Sequence, residues 1–178
     1  NNSIQKLDKD PIDILLNIAG VPGTFEPLKI MEINVLGLQY LTERLIDKIN
    51  INGAIVNVAS IAGFNWARNA KKIDELIKLG EHDEQLEWCK TLEMNGDLTY
   101  SFSKECVVYY TMVKAGQLRE KKIRCNSVSP GPVATPLLPE FKAQTASGQI
   151  DWLISEIGRP AKPEEIANVI YFLASEEA

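Results

Sequence analysis

Three stretches of this chain read alike: an apolar, strand-like run that stops on glycine or small polar residues. Ile12-Asp-Ile-Leu-Leu-Asn-Ile-Ala-Gly20 closes on Asn17, Ala19 and Gly20, and Gly53-Ala-Ile-Val-Asn-Val-Ala-Ser60 delivers a serine. Arg124-Cys-Asn-Ser-Val-Ser-Pro-Gly131 ends in Pro130-Gly131 and runs on through Val133 to Thr135. Near-continuous apolar runs belong to strands covered on both faces, the condition of a parallel sheet wound with helices. Such a sheet binds ligands beyond the carboxyl ends of its strands, where these runs place their small and polar residues. The predicted class is α/β, built on a parallel sheet.

The helical segments fit between the strands. Residues 26–48 carry Ile30, Ile33, Leu36, Leu41 and Leu45 near 3.6 spacing, a core-facing stripe, with Asn34 in the interior, where asparagine is poorly favoured. A helix over 99–120 is predicted to follow Gly96-Asp97, with Tyr100 in its first turn. A last helix over 163–175 opens on Pro163-Glu-Glu, suited to a first turn. The connection from Pro136 to Arg159 is long enough to act as a lid, with an ordinary surface loop carrying one short helix as the alternative.

Chemistry enters with Tyr100-Ser-Phe-Ser-Lys104. Four residues advance a helix by roughly 400° and about 6 Å, so tyrosine and lysine share a face. A free tyrosine has a pKa of about 10, and a nearby ammonium favours its phenolate. Such a pair can take a proton from an alcohol or return one to a carbonyl. Tyr110-Thr-Met-Val-Lys114 repeats the spacing, but ten residues turn a helix by about 1000°, so the second tyrosine faces elsewhere.

Taken together and in order, these motifs resemble the short-chain dehydrogenase/reductase family over nearly all of the chain. The family's Asn-Asn-Ala-Gly stands as Asn17-Ile18-Ala19-Gly20, its helix asparagine as Asn34, its serine as Ser60, its tyrosine–lysine pair as Tyr100 and Lys104, and its Pro-Gly turn as Pro130-Gly131 with Thr135. The resemblance implies a doubly wound parallel sheet, Rossmann-like with helices on both faces, and an NAD- or NADP-dependent oxidoreductase that interconverts a secondary alcohol and a ketone. It implies Ser60, Tyr100, Lys104 and Asn34 as catalytic residues, with the Asn34 backbone carbonyl holding a water that relays protons to Lys104. It implies that Asn17, Ala19, Gly20, Tyr100, Lys104, Pro130, Gly131, Val133 and Thr135 hold the cofactor. Ser60, Phe64, Trp66, Leu137 and Leu138 are candidate substrate contacts, with core packing an equal alternative for the apolar four.

Two departures qualify the likeness. Forty residues separate Ser60 from Tyr100, and the extra segment, about 64–98, reads as two helices over 67–79 and 81–94. This insertion and Thr135-Pro-Leu-Leu138 are similar to the bacterial 3α-hydroxysteroid dehydrogenase/carbonyl reductase branch, which implies a bulky apolar substrate such as a steroid or aromatic carbonyl. No Thr-Gly-x-x-x-Gly-x-Gly stands in the 178 residues. The expectation is a partial dehydrogenase domain over 1–178, incomplete at both ends, without the turn that cradles pyrophosphate and without a last strand. A non-catalytic assembly module of the same fold, or a lyase or epimerase reusing the tyrosine and lysine, are the alternatives.

A net charge of −5 argues against nucleic acid and anionic membrane surfaces, and no apolar run is long enough to span a bilayer. Cys89, Cys106 and Cys125 are odd in number and widely spaced, as free thiols in a reducing, cytoplasmic setting would be. His82 is the single histidine and sits among charges, so no metal site is expected. Relatives tetramerise through the helix bearing the catalytic pair. The insertion could block that surface, so a homodimer through the last helix is expected, with the tetramer as the other arrangement.

Overall fold

The computed structural model describes residues 10–145 and 148–178. Three strands, β1 (Ile12–Asn17), β2 (Ile49–Val58) and β3 (Arg124–Val128), form a parallel sheet in the order β1-β2-β3. Leu15 stands opposite Ile55 and Asn17 opposite Asn57; across the second pair Ile55 meets Cys125 and Val58 meets Val128. The register aligns the carboxyl ends of all three strands, which is where the predicted motifs sit.

Alternation along the strands feeds two cores. Leu15, Ile55 and Cys125 point to one face and pack with Leu45, Leu118 and Ile123. Val56 and Val128 point to the other and pack with Ile170 and Ala174 of the last helix. Ile14 and Leu16 share that second face on β1 but are 47% and 42% exposed. The strand β2 begins four residues earlier than the apolar run at Gly53. Asn52 takes a left-handed φ of 69° there, and a side chain at Gly53 would collide with Asp13 O at 2.7 Å.

Between β1 and β2 the expected single helix is segmented: α1 (Pro27–Met31), a π-helical stretch at Glu32–Gly37, and α2 (Leu38–Leu45). A tight turn at Ile61–Asn65 leads into the insertion, α3 (Trp66–Lys78) and α4 (His82–Lys90). The long helix α5 (Gly96–Leu118) starts three residues earlier than predicted, because Asn95 Oδ1 caps it by accepting from Leu98 N at 2.9 Å. Tyr100 is therefore its fifth residue. The connection after β3 holds α6 (Leu138–Gln144) and α7 (Gln149–Ile157), and the chain closes with α8 (Pro163–Ala174).

The insertion is part of the core. Ile73 and Leu76 of α3 and Cys89 of α4 interlock with Met31, Val35 and Leu36, and with Phe102 and Cys106 of α5. The three cysteines are buried free thiols; burial pushes Cys89 and Cys125 up to about 12. Among the described residues no helix is long and apolar enough to cross a membrane.

Candidate active site

The ends of β2 and β3 continue to pair past the strands proper. Ala59 N donates to Val128 O at 2.8 Å and Ile61 N to Pro130 O at 3.0 Å, so Ser60 is held beside Pro130. The Ser60 backbone is extended, and its Oγ accepts from Ala62 N at 3.2 Å, which caps the turn that follows. The next stretch is fastened from the far side: Ala161 N donates to Pro132 O at 2.9 Å and Ala134 N to Ala161 O at 2.8 Å, bracketing Val133. Thr135 N closes back on Val133 O at 2.8 Å.

Helix α5 brings Tyr100 and Lys104 to these strand ends, and both are buried. Lys104 Nζ donates to Val58 O at 3.0 Å and lies 5.8 Å from the centre of the Tyr100 ring. That is one of three ammonium donors. Desolvation lowers its pKa from 10.5 to about 8. The Tyr100 phenol is pushed above its ordinary value by burial, while the neighbouring Ser60 hydroxyl pulls the other way. Burial is the larger influence, so here the phenol stays protonated at neutral pH rather than being drawn down as the sequence suggested.

Asn34 lies in the π-helical stretch, almost wholly buried, with its side chain fully engaged. Its Oδ1 accepts from Val21 N at 2.8 Å; its Nδ2 donates to Val21 O at 3.0 Å and to Ser103 Oγ at 3.1 Å. Ser103 in turn donates to Tyr100 O at 2.7 Å. The loop after β1 is thereby tied to the tyrosine's own helix. Gly20 keeps the adjoining space clear: a Cβ there would sit 3.3 Å from Asn34 Oδ1 and 3.4 Å from Lys104 Nζ.

Asn17 faces inward, away from this centre. Its Nδ2 donates to Thr42 Oγ1 at 2.9 Å and Asn57 Oδ1 at 2.8 Å, and Asn57 Nδ2 donates to Thr111 Oγ1 at 2.9 Å. This buried amide chain braces β1, β2, α2 and α5 together. Ala19 is exposed on a groove of about 620 Å³ along β1 that is also lined by Asn17, Ile18 and Tyr40 but reaches none of Ser60, Tyr100 and Lys104.

The apolar candidates divide. Phe64, 74% exposed, stands on the turn after Ser60, and Leu137 and Leu138 open α6. Trp66 is instead committed to the core, its ring 6.1 Å from that of Tyr109 and packed on the insertion cluster. A residue that sequence reasoning missed lies one turn further on: Phe141 of α6 meets Tyr100 ring to ring at 5.2 Å and 60°. Glu140 beside it accepts from Thr24 Oγ1 at 2.9 Å, pinning α6 to the loop after β1. The second pair, Tyr110 and Lys114, is structural: both engage Glu43 Oε1, at 2.8 Å and 2.6 Å, and lock α5 to α2. His82 is exposed at the start of α4, 6.5 Å from the Tyr40 ring.

The chain has relatives among known proteins. Residues 90–178 match a family model described as Enoyl-(Acyl carrier protein) reductase. The chain is 36% identical over 170 residues to a coniferyl-alcohol dehydrogenase of a Pseudomonas species, covering 95% of this chain and 67% of that protein. It is 30% identical over 180 residues to a 3-oxoacyl-(acyl-carrier-protein) reductase of Thermotoga maritima, covering 94% of this chain and 60% of the relative. In fold it is similar to the crystal structure of a 3-alpha-hydroxysteroid dehydrogenase from a Pseudomonas species complexed with NADH. That match has a TM-score of 0.82 at 24% identity, over 99% of this chain and 70% of the other. The chain belongs to the short-chain dehydrogenase/reductase family.

Proposed function

We propose that the protein is an NAD- or NADP-dependent oxidoreductase that interconverts a bulky apolar alcohol and its carbonyl compound through Ser60, Tyr100 and Lys104. The observation that carries this reading is the convergence of a buried tyrosine, a buried lysine and a strand-end serine beyond the carboxyl ends of a parallel sheet. The site suits the nicotinamide half of a dinucleotide. Lys104 keeps ammonium donors for a ribose diol, and Gly20 leaves space beside them. Ala19 and Gly20, at the strand end that Asn17 braces, and Pro130, Gly131, Val133 and Thr135 on the other side, would hold it.

A bound nicotinamide supplies or accepts the hydride. The chain's own residues handle the proton and the oxygen. In reduction, neutral Tyr100 donates its hydroxyl proton to the carbonyl oxygen while the Ser60 hydroxyl hydrogen-bonds that oxygen and fixes its position. In oxidation the phenolate takes the alcohol proton, and the Lys104 ammonium is the nearby charge that favours the phenolate. A water on the Asn34 carbonyl would return protons to Lys104.

The substrate class follows from what surrounds the pair. Phe64, on the turn that follows Ser60, is 74% exposed, and Phe141 covers Tyr100. This apolar rim suits a steroid or an aromatic carbonyl, and the relative named for coniferyl alcohol points to aromatic alcohols among these. A panel of steroid ketones, aromatic aldehydes and ketones, sugars and acyl thioesters, each with NADH and NADPH, tests it. Turnover of the steroid or aromatic compounds is expected; turnover confined to sugars or acyl thioesters overturns the substrate class. For assembly, the reading is a homodimer through α8, whose Tyr171 and Phe172 are 79% and 49% exposed.

A further inference from the structure

One buried ionisable group near the site has no part in this chemistry. Glu105 follows Lys104 on α5 and is 4% exposed. Its Oε2 accepts from Asn69 Nδ2 of the inserted helix α3 at 2.6 Å. Burial pushes this carboxyl up and the Asn69 bond draws it down, with burial the larger effect. A leucine at this position would fill space in an apolar contact without that desolvation cost. What a carboxyl adds is direction: a hydrogen bond to one partner fixes the register of α3 along α5.

A second contact falls on the same two residues. A Cβ on Gly63 would lie 2.8 Å from Lys104 O and 3.2 Å from Glu105 N, so the turn after Ser60 rests directly on that peptide. Gly63 N also donates to Ser60 O at 2.9 Å. The path from Ser60 through Gly63 onto the Lys104–Glu105 peptide is thus short, and Asn69 closes it from the insertion side. Ser60 and Tyr100 are forty residues apart in sequence, and the intervening segment is the one this clamp holds down.

We propose that Glu105 is a positioning residue which, through Asn69, seats the inserted segment on the catalytic helix and sets Ser60 against Tyr100. The proposal rests on the reading of Ser60 and Tyr100 as the reacting pair. The test measures that juxtaposition without needing a substrate. Tyrosine Cζ resonances are followed against pH in the 13C-labelled full protein, with Tyr100 assigned by its loss in Tyr100→Phe, alongside melting temperature. The variants are Glu105→Leu, Asn69→Leu and Glu105→Gln.

Both leucine variants are expected to shift the Tyr100 titration to higher pH, because the Ser60 hydroxyl that lowers it moves away from the phenol. With a carbonyl substrate from the panel they should lose roughly ten- to a hundredfold in kcat while KM stays within about twofold. Glu105→Gln, whose amide oxygen still accepts from Asn69, should restore most of both. Leucine variants that melt earlier but leave the Tyr100 titration unchanged overturn the proposal and reduce the contact to a helix tie. Asn69→Leu, at a half-buried position, carries the test if Glu105→Leu does not fold. Full turnover by Tyr100→Phe would remove the catalytic reading, yet the titration would still decide whether the clamp exists.

Discussion

Lys104 shows how strongly position governs chemistry at the residue scale. A lysine with an ordinary pKa of 10.5 is held at about 8, so the folded protein releases a proton that the unfolded chain still binds. Stability from this group therefore rises with pH across the window from about 8 to 10.5, the reverse of a cation that gains a partner. Lys104→Met should be the more stable protein at neutral pH, and its advantage in melting temperature should shrink as pH climbs through that window. A gap that stays constant with pH would contradict the assignment. Tyr100, kept protonated by burial, starts as an acid. Carbonyl reduction should hold near neutral pH, while alcohol oxidation keeps climbing as the solution turns alkaline, because burial raises the phenol; steady-state rates in both directions check this. Ser60, Tyr100 and Lys104 were legible in sequence because their motifs are short and stand at strand and helix ends. Phe141, Ser103 and Glu105 were not, since each matters only through a partner at least 36 residues away or through a backbone atom that no pattern marks.

Among the elements, the inserted pair and the segmented helix before β2 carry the most consequence. The pair was readable as two helices over 67–79 and 81–94, and the observed helices fall within four residues of those ends. What spacing could not convey is that Ile73 and Leu76 are fully buried against α5. Leu76→Ala should cost about 2–5 kcal/mol of global stability by chemical denaturation, in a single transition. A separate early transition would mean that the insertion melts on its own. The π-helical stretch was hidden because the apolar stripe runs unbroken across it. It turns Asn34 toward Val21 and Ser103, and wide turns of this kind recur at functional sites. Gly63→Ala, forced against the Lys104 carbonyl at 2.8 Å, should lower kcat more than stability, read by paired turnover and melting measurements.

At the scale of the whole molecule, three parallel strands divide two apolar faces between the α2–α5 layer and α8. The sheet type and strand identities were readable because buried parallel strands are nearly uniformly apolar. Strand order needed the register, which sequence leaves open. The insertion packs along α5, and the exposed aromatic residues of α8 give the expected dimer its surface. Tyr171→Glu should convert that dimer to a monomer in light scattering, with the melting transition retained; a tetramer indifferent to the substitution would contradict the assembly. The proposed chemistry depends most directly on one group. Tyr100→Phe, assayed for carbonyl turnover and titrated with NADH and NADPH by fluorescence, should bind dinucleotide as the parent does and lose at least about a hundredfold in turnover. Full turnover with normal binding would mean that the proton moves through another residue.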